Sequence, residues 1–360
     1  MHDKTGVEAF HGSAVSSMKN ELFVVCGAGG FIGGHLLAEL RRQGFDRLRG
    51  VDIKPFEEWY QRIDEVENLR LDLRVRAQCE QAVRGAFRVF NLAADMGGMG
   101  FIEHNKALCM LSVLINTHLL MAAKESGVER FFYASSACVY AAEKQTDPAV
   151  SGLREADAYP AQPEDGYGWE KLFSERMCRH FREDFGLQTR VARYHNVYGP
   201  NGTYDGGREK APAAICRKVI AAKLDGHHEI EIWGDGNQTR SFMYIDDCLK
   251  GSQMLMNSDV AEPINIGSSE KVSINQLVDV VEQIAGIKLR RHYNLNAPKG
   301  VNGRNSDNTL IKQLFGWEPD TRLRNGMEKT YAWIHDQMTR ATAHSGSRAI
   351  SKVASQGAVC

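Results

Sequence analysis

The sequence predicts an α/β architecture, a doubly wound parallel sheet followed by a smaller mixed α/β C-terminal part. Two observations predict it. Short apolar runs alternate with amphipathic stretches as far as about Tyr198, the order expected of strands and crossover helices in a parallel sheet covered on both faces. A glycine cluster also stands between the first run and the first amphipathic stretch, where a strand must turn sharply into a helix.

Residues 1–20 are polar and aperiodic and are expected to form a flexible arm. Glu21–Cys26 then reads as a buried strand. Phe31–Arg42 carries helical periodicity through Ile32, Leu36, Leu37 and Leu40, and Gly44 closes it. Further strands are expected at Leu48–Ile53, Asn68–Leu73, Arg88–Ala93, Arg130–Ser135 and Gln188–Arg193, with helices at Ala77–Val83, Glu103–Ser126 and Tyr167–Phe185. The alternation weakens in a turn-rich passage around Gly199-Pro-Asn-Gly. Pro212 is expected to open a helix and Glu229–Trp233 to form a strand that buries Trp233. The expected division is a nucleotide-binding part over residues 21–198 and mainly a substrate part over 199–340, the chain crossing back to the first. An Ala/Ser/Gly-rich tail, expected to be disordered, occupies residues 341–360.

Composition narrows the function classes. The chain has 360 residues, 43% apolar and 25% charged, which argues for a globular protein with one large or two joined domains. With 44 basic and 45 acidic residues, no bulk attraction to nucleic acid or an anionic membrane is expected. The eight cysteines, Cys26, Cys79, Cys109, Cys138, Cys178, Cys216, Cys248 and Cys360, include no C-x-x-C pair. That scatter favours reduced thiols and a cytoplasmic location. The N-terminus lacks the apolar core of a secretory signal, no run of 18 apolar residues exists, and His227-His228 lack partners at metal-ligand spacing.

Gly27-Ala-Gly-Gly-Phe-Ile-Gly33 has the spacing G-x-x-G-x-x-G. A turn of this kind lets the backbone approach a pyrophosphate and aims a helix N-terminus at its charge, so Gly27, Gly30, Phe31, Ile32 and Gly33 are expected to hold a dinucleotide. Asp52, 19 residues after Gly33, can accept both ribose hydroxyls and would repel a 2′-phosphate. NAD is therefore the expected cofactor. Asp72 can reach the adenine edge or, alternatively, cap the helix that follows. Further on, Tyr167-Gly-Trp-Glu-Lys171 places a phenol and an ammonium one turn apart on a helix face. A cation beside a phenol lowers its pKa, so this pair is expected to draw a proton from a hydroxyl while the attached carbon gives up hydride.

These motifs, with Asn91-Leu-Ala-Ala, Ser135-Ser-Ala and Arg193-Tyr-His-Asn-Val-Tyr-Gly-Pro200, resemble the extended short-chain dehydrogenase/reductase family of nucleotide-sugar enzymes. The resemblance implies a Rossmann-type fold and a catalytic Ser136, Tyr167 and Lys171, the last two also contacting NAD. Four segments sharpen it: Ala94–Phe101, Ser135–Tyr140, Gly207–Ala214 and Trp233–Phe242. They resemble the branch of that family that epimerises GDP-mannose at C3 and C5, giving GDP-L-galactose, and GDP-L-gulose by C5 inversion alone, on a route to L-ascorbate. The resemblance matches Cys138 and Lys210 to the two proton carriers. An ordinary thiol titrates near about 8.5 and an amine near about 10.4, so at least one must be brought toward neutrality. It also matches Gly97, Ser136, Ala137, Cys138, Asn196, Glu209, Lys210, Ala211, Lys218, Gln238, Thr239, Arg240, Arg304 and the tail's Ser351 to substrate contacts. Arg240 and Arg304 suit the GDP diphosphate, because a guanidinium forks onto phosphate oxygens. A homodimer through Glu103–Ser126 and Tyr167–Phe185 is implied as well. Two alternatives stand beside this reading. A GDP- or UDP-sugar 4-epimerase or reductase would tolerate loss of Cys138; a non-catalytic NAD-binding regulator would need no proton relay.

Overall fold

In the computed structural model the described residues run from Met18 to Gln356, with side chains described to Arg340. Most of the expected arm, and the side chain of Ser351 in the expected tail, lie outside them. The chain opens with β1 (Phe23–Cys26), α1 (Phe31–Arg42), β2 (Leu48–Asp52), β3 (Glu67–Arg70), α2 (Arg76–Val83) and β4 (Arg88–Asn91). Three helical pieces follow, α3 (Met99–His104), α4 (Lys106–Met110) and α5 (Ser112–Glu125), then β5 (Arg130–Ser136), α6 (Asp165–Phe185) and β6 (Gln188–Tyr194). Next come β7 (Val197–Tyr198), α7 (Ala211–Asp225), β8 (Glu229–Trp233), β9 (Thr239–Ser241), β10 (Met243–Tyr244), α8 (Ile245–Asn257) and β11 (Ile264–Ile266). The last elements are β12 (Lys271–Ser273), α9 (Ile274–Ala285), β13 (Arg290–Asn294), β14 (Gly303–Arg304), α10 (Thr309–Phe315) and α11 (Leu323–Gln356).

Seven strands form one parallel sheet in the order β11-β6-β5-β4-β1-β2-β3. The chain winds outward from β1 to β3, then returns to lay β4 on the other side of β1. That reversal leaves a crevice at the carboxyl ends of β1 and β4, where a ligand can enter between diverging loops. Side chains alternate across the sheet, as the two-residue period of a strand requires. Phe23 and Val25 join the core that holds Leu36, Leu37 and Leu40, whereas Val24 and Cys26 join the one that holds Cys79, Val83, Leu119 and Leu120.

The helix expected over Glu103–Ser126 is instead three helices. Asn105 breaks it at φ −133° and ψ 39°, and its Nδ2 donates to the Phe101 carbonyl at 2.8 Å. A short amide side chain that competes for backbone acceptors in this way ends a helix early. Lys106–Glu125, which spans α4 and α5, is long and apolar enough to cross a membrane by length and composition, and Leu119, Leu120, Ala122 and Ala123 of α5 are buried against the sheet.

Beyond β7 the structure is mixed. β9 pairs antiparallel with β12 and parallel with β14, and β8 pairs parallel with β13. Ile230 and Ile232 point inward from β8 while Glu229, Glu231 and Trp233 point outward. Trp233 is thus 40% exposed rather than buried, because β8 has only one face on the core.

Phe132 stands fully buried in β5 between Phe90 and Tyr194, at ring-centroid distances of 5.4 and 6.4 Å. Phe132→Ala leaves a cavity at the sheet centre and is expected to lower stability by about 3–5 kcal/mol. The check is the urea midpoint of unfolding; an unchanged midpoint contradicts this packing.

Candidate active site

Gly27 begins the turn after β1 at φ +88°, a conformation that suits glycine. Its N–H donates to the Val51 carbonyl at 2.7 Å, which ties the turn to β2. At Gly33 a Cβ would come within 2.1 Å of the Gly27 carbonyl oxygen, so only glycine lets α1 approach the turn this closely. No side chain caps the N-terminus of α1, which leaves its first N–H groups free to meet an anion. Asp52 ends β2, where Oδ2 accepts from Gly29 N and Oδ1 from Lys54 N, each at 3.0 Å. All seven residues expected to touch only the cofactor, from Gly27 to Asp72, line one crevice of about 680 Å³. A dinucleotide fits these features: a tight glycine cradle, an open helix end and a carboxylate at the strand tip. Asp72 does not cap α2, whose N-cap is Val75. Its Oδ1 instead accepts from Arg74 N at 2.9 Å, and its carboxylate pairs with the Arg74 guanidinium at 2.7 Å, which holds it below the usual range.

The proposed catalytic side chains stand at the end of β5, in the first turns of α6 and just before α7. Ser136 closes β5, and its hydroxyl accepts from Cys138 N at 3.2 Å. The same hydroxyl is a hydrogen-bond partner of Tyr167 in the first turn of α6. One turn on, Lys171 Nζ donates to the Ala134 carbonyl at 3.1 Å and lies 5.6 Å from the Tyr167 ring centroid. The helix can come this close because residue 168 is glycine; a Cβ there would sit 2.3 Å from the Cys138 carbonyl oxygen.

Tyr167 does not behave as the lysine spacing predicts. Burial, then the neighbouring Cys138 and Glu170, raises its phenol well above the ordinary value. The group therefore rests as a phenol, and deprotonation needs added positive charge beside it or a neighbour that accepts its proton. Glu170 was not foreseen. Its Oε1 accepts from Tyr133 OH at 3.1 Å and Ser174 Oγ at 2.9 Å, and its Oε2 lies 3.7 Å from Lys171 Nζ. A glutamate beside a motif lysine looks like any helix-surface charge until the helix is seen to be buried there.

Cys138 packs with Cys109 and Tyr167 in one small cluster, against Met96, Phe101 and Ile102. Lys210 lies on the crevice wall just before α7. Burial pushes its ammonium down from the ordinary value, and Cys138 is the first of the groups that oppose the shift. The loop holding Gly97 and the loop holding Lys210 lie against each other. Gly98 N donates to the Arg208 carbonyl at 3.0 Å, and a Cβ at Gly98 would come 2.3 Å from the Glu209 carbonyl oxygen. Arg208, although exposed, pairs with Asp95 at 2.6 Å and lies 3.8 Å over the Phe101 ring.

The remaining expected substrate residues separate into two groups. Ala137 is buried beside Cys138, and Ala211 starts α7 next to Lys210. Asn196, at φ 44°, donates to the Ser241 carbonyl at 3.0 Å. Glu209 pairs with Arg217 at 3.1 Å, and Lys218 donates to the Glu231 carbonyl at 2.9 Å. Gln238 donates to the Trp233 carbonyl at 2.8 Å and Thr239 to the Pro148 carbonyl at 2.6 Å. Arg240 and Arg304, the residues expected to fork onto the diphosphate, are bonded to protein groups in this structure. Arg240 is spent on the carbonyls of Thr239, Lys299 and Val301, and burial brings its pKa down to about 10. Arg304 donates to Gln145 Oε1 at 2.7 Å and to Cys138 Sγ at 3.5 Å, and it also pairs with Glu164. Both are drawn inward because the buried acceptors around them would otherwise be unpaired.

A dinucleotide crevice beside a serine, tyrosine and lysine group defines an enzyme built to move hydride and protons at a carbinol carbon. The chain belongs to the NAD dependent epimerase/dehydratase family, whose model matches residues 23–267. It is an NAD-dependent enzyme. It is 47% identical to GDP-mannose 3,5-epimerase 1 of Oryza sativa subsp. japonica over 88% of this chain and 82% of that protein. It is 46% identical to GDP-mannose 3,5-epimerase of Arabidopsis thaliana, over 89% and 83%. The fold resembles UDP-glucose 4-epimerase of Thermotoga maritima with a TM-score of 0.78 at 24% identity, over 88% of this chain and 99% of that one.

Behind the site, His195 donates through Nε2 to Asn265 Oδ1 at 3.0 Å, and burial pushes its pKa down to about 4. The folded state therefore favours the neutral ring. Stability is fully present above the ordinary value of 6.5 and is lost as pH falls from there to about 4. The loss is expected to be on the order of 3 kcal/mol. His195→Gln should flatten the fall of the thermal midpoint across that window; a slope as steep as the native protein's contradicts the assignment.

Proposed function

We propose that the chain converts GDP-mannose to GDP-L-galactose by inverting C3 and C5, with GDP-L-gulose formed when C5 alone inverts. The observation that carries this reading is Cys138, packed against Tyr167 and within electrostatic range of Lys210 on the crevice wall. A simple 4-epimerase needs the tyrosine but has no use for a thiol and an amine beside it. The names of the plant relatives support the same substrate, and the product would serve L-ascorbate formation.

The residues fit the required sequence of steps. Ser136 and Tyr167 hold the sugar C4 hydroxyl, and Tyr167, ionised once added positive charge reaches the site, takes its proton. When bound, NAD supplies a reversible acceptor for the C4 hydride. The resulting ketone acidifies the C–H bonds at C3 and C5. Inversion then needs one group to remove a proton from one face and another to return a proton on the opposite face, the work given to Cys138 and Lys210. Return of hydride to C4 ends the cycle with no net redox change. A homodimer is also proposed, on the support of Met110 and Leu114 beside Trp169 and Phe173, all exposed on the adjoining helices α4, α5 and α6.

The test is turnover of GDP-mannose by purified protein, with products separated by chromatography. Tyr167→Phe is expected to abolish turnover and leave NAD bound, and Cys138→Ala to lower it by about 100-fold or more. Native-like turnover by Cys138→Ala would remove the thiol from the mechanism and favour C4 chemistry.

A further inference from the structure

The cofactor crevice has a wall that the glycine signature does not contain. Gly199, Gly202 and Thr203, in the turn after β7, line it together with Gly30, Phe31 and Gly33 at the start of α1. The turn is fastened to α1 at several points. His35, one turn into the helix, has Nε2 2.9 Å from the Pro200 carbonyl oxygen. That oxygen can only accept, so Nε2 carries the proton. Burial pushes the His35 pKa down, which keeps the ring neutral with one donor. The Phe31 ring meets His35 edge-on at 5.4 Å. It also lies directly under the turn, since a Cβ at Gly202 would come 3.1 Å from it and one at Gly199 3.3 Å. On the far side, Ile245 of α8 would be 2.7 Å from a Cβ at Gly199. Asn201, at φ 58°, makes the bend between these anchors.

We infer that residues 199–203 form a strap that retains NAD and that His35 is the positioning residue that fastens it. The inference rests on the redox-neutral reading above. In such a cycle, loss of the cofactor between oxidation and re-reduction strands a ketone, so slow cofactor release protects the reaction. The helix whose uncapped N-terminus would hold the pyrophosphate is the helix that carries His35, so binding and fastening are coupled through one rigid element. A hydrogen bond from a partly buried ring to a carbonyl is of the strength that changes a release rate by about tenfold.

The experiment measures NAD itself and needs no sugar, so its result is separate from the identity of the substrate. Native protein, His35→Ala, His35→Gln and Gly202→Ala are loaded with NAD and passed into NAD-free buffer, and bound dinucleotide is followed over time. His35→Ala and Gly202→Ala are expected to release NAD about tenfold faster. His35→Gln, whose amide can still donate to the Pro200 carbonyl, is expected to stay close to native. If His35→Ala does not fold, the other two variants carry the test. Native-like retention by His35→Ala or Gly202→Ala overturns the strap, and release from His35→Gln as fast as from His35→Ala overturns its fastening by this hydrogen bond.

Discussion

A buried ion pair between Arg193 and Glu175 fixes the positions of the reacting groups. Arg193, on β6, reaches both carboxylate oxygens of Glu175 on α6 at 2.9 and 2.7 Å, and Ser135 Oγ donates to the same carboxylate at 2.5 Å. Both charges are almost fully enclosed. Desolvating them is expensive, so the pair persists only in this geometry, and removing one partner costs about 3–5 kcal/mol. The constraint spreads outward. Arg193 also donates to the Glu155 carbonyl at 2.7 Å, and Tyr140 OH donates to Asn265 on β11 at 2.5 Å. Three strands and α6 are thereby held together under the site, and α6 carries Tyr167 and Lys171 while β5 ends in Ser136.

On that base the chemistry depends on close backbone approach. Gly168 lets α6 lie on the Cys138 carbonyl, Gly33 lets α1 lie on the Gly27 turn, and Gly98 lets the Met96–Phe101 loop lie on the loop before Lys210. Cys138 therefore meets groups from three other parts of the chain, Tyr167 from α6, Arg304 from β14 and Cys109 from α4, and lies within electrostatic range of Lys210 before α7. Desolvation on this scale works in both directions. It pushes the Lys210 amine down, toward the neutrality a proton acceptor needs, and pushes the Tyr167 phenol up, so that positive charge is required before the phenol can act as a base.

The sheet and its ligand end were legible because their signals are local. An apolar run, a glycine turn, a helix and an acidic strand tip follow one another in sequence, and the strands formed within a few residues of their expected ends. The Tyr167–Lys171 spacing was legible for the same reason, since one helical turn sets it. What could not be read were the results of burial. The sign of the Tyr167 shift is set first by burial and then by Cys138 and Glu170, none of which a helical pattern distinguishes from a surface setting. Apart from the adjacent Thr239 carbonyl, the groups that Arg240 and Arg304 bond are carbonyls and side chains 59 to 166 residues away. The break at Asn105 and the exposure of Trp233 are similar: the first comes from a side chain competing for a backbone acceptor, the second from a strand with only one face on the core.

The central claim is that a thiol and an amine exchange protons at the carbons on either side of a transient ketone. It is tested most directly by incubating the NAD-loaded protein with GDP-mannose in deuterated water and examining the sugar by NMR. The account predicts deuterium at C3 and C5, with galactose-configured product. Unlabelled sugar from folded, NAD-loaded protein would contradict it.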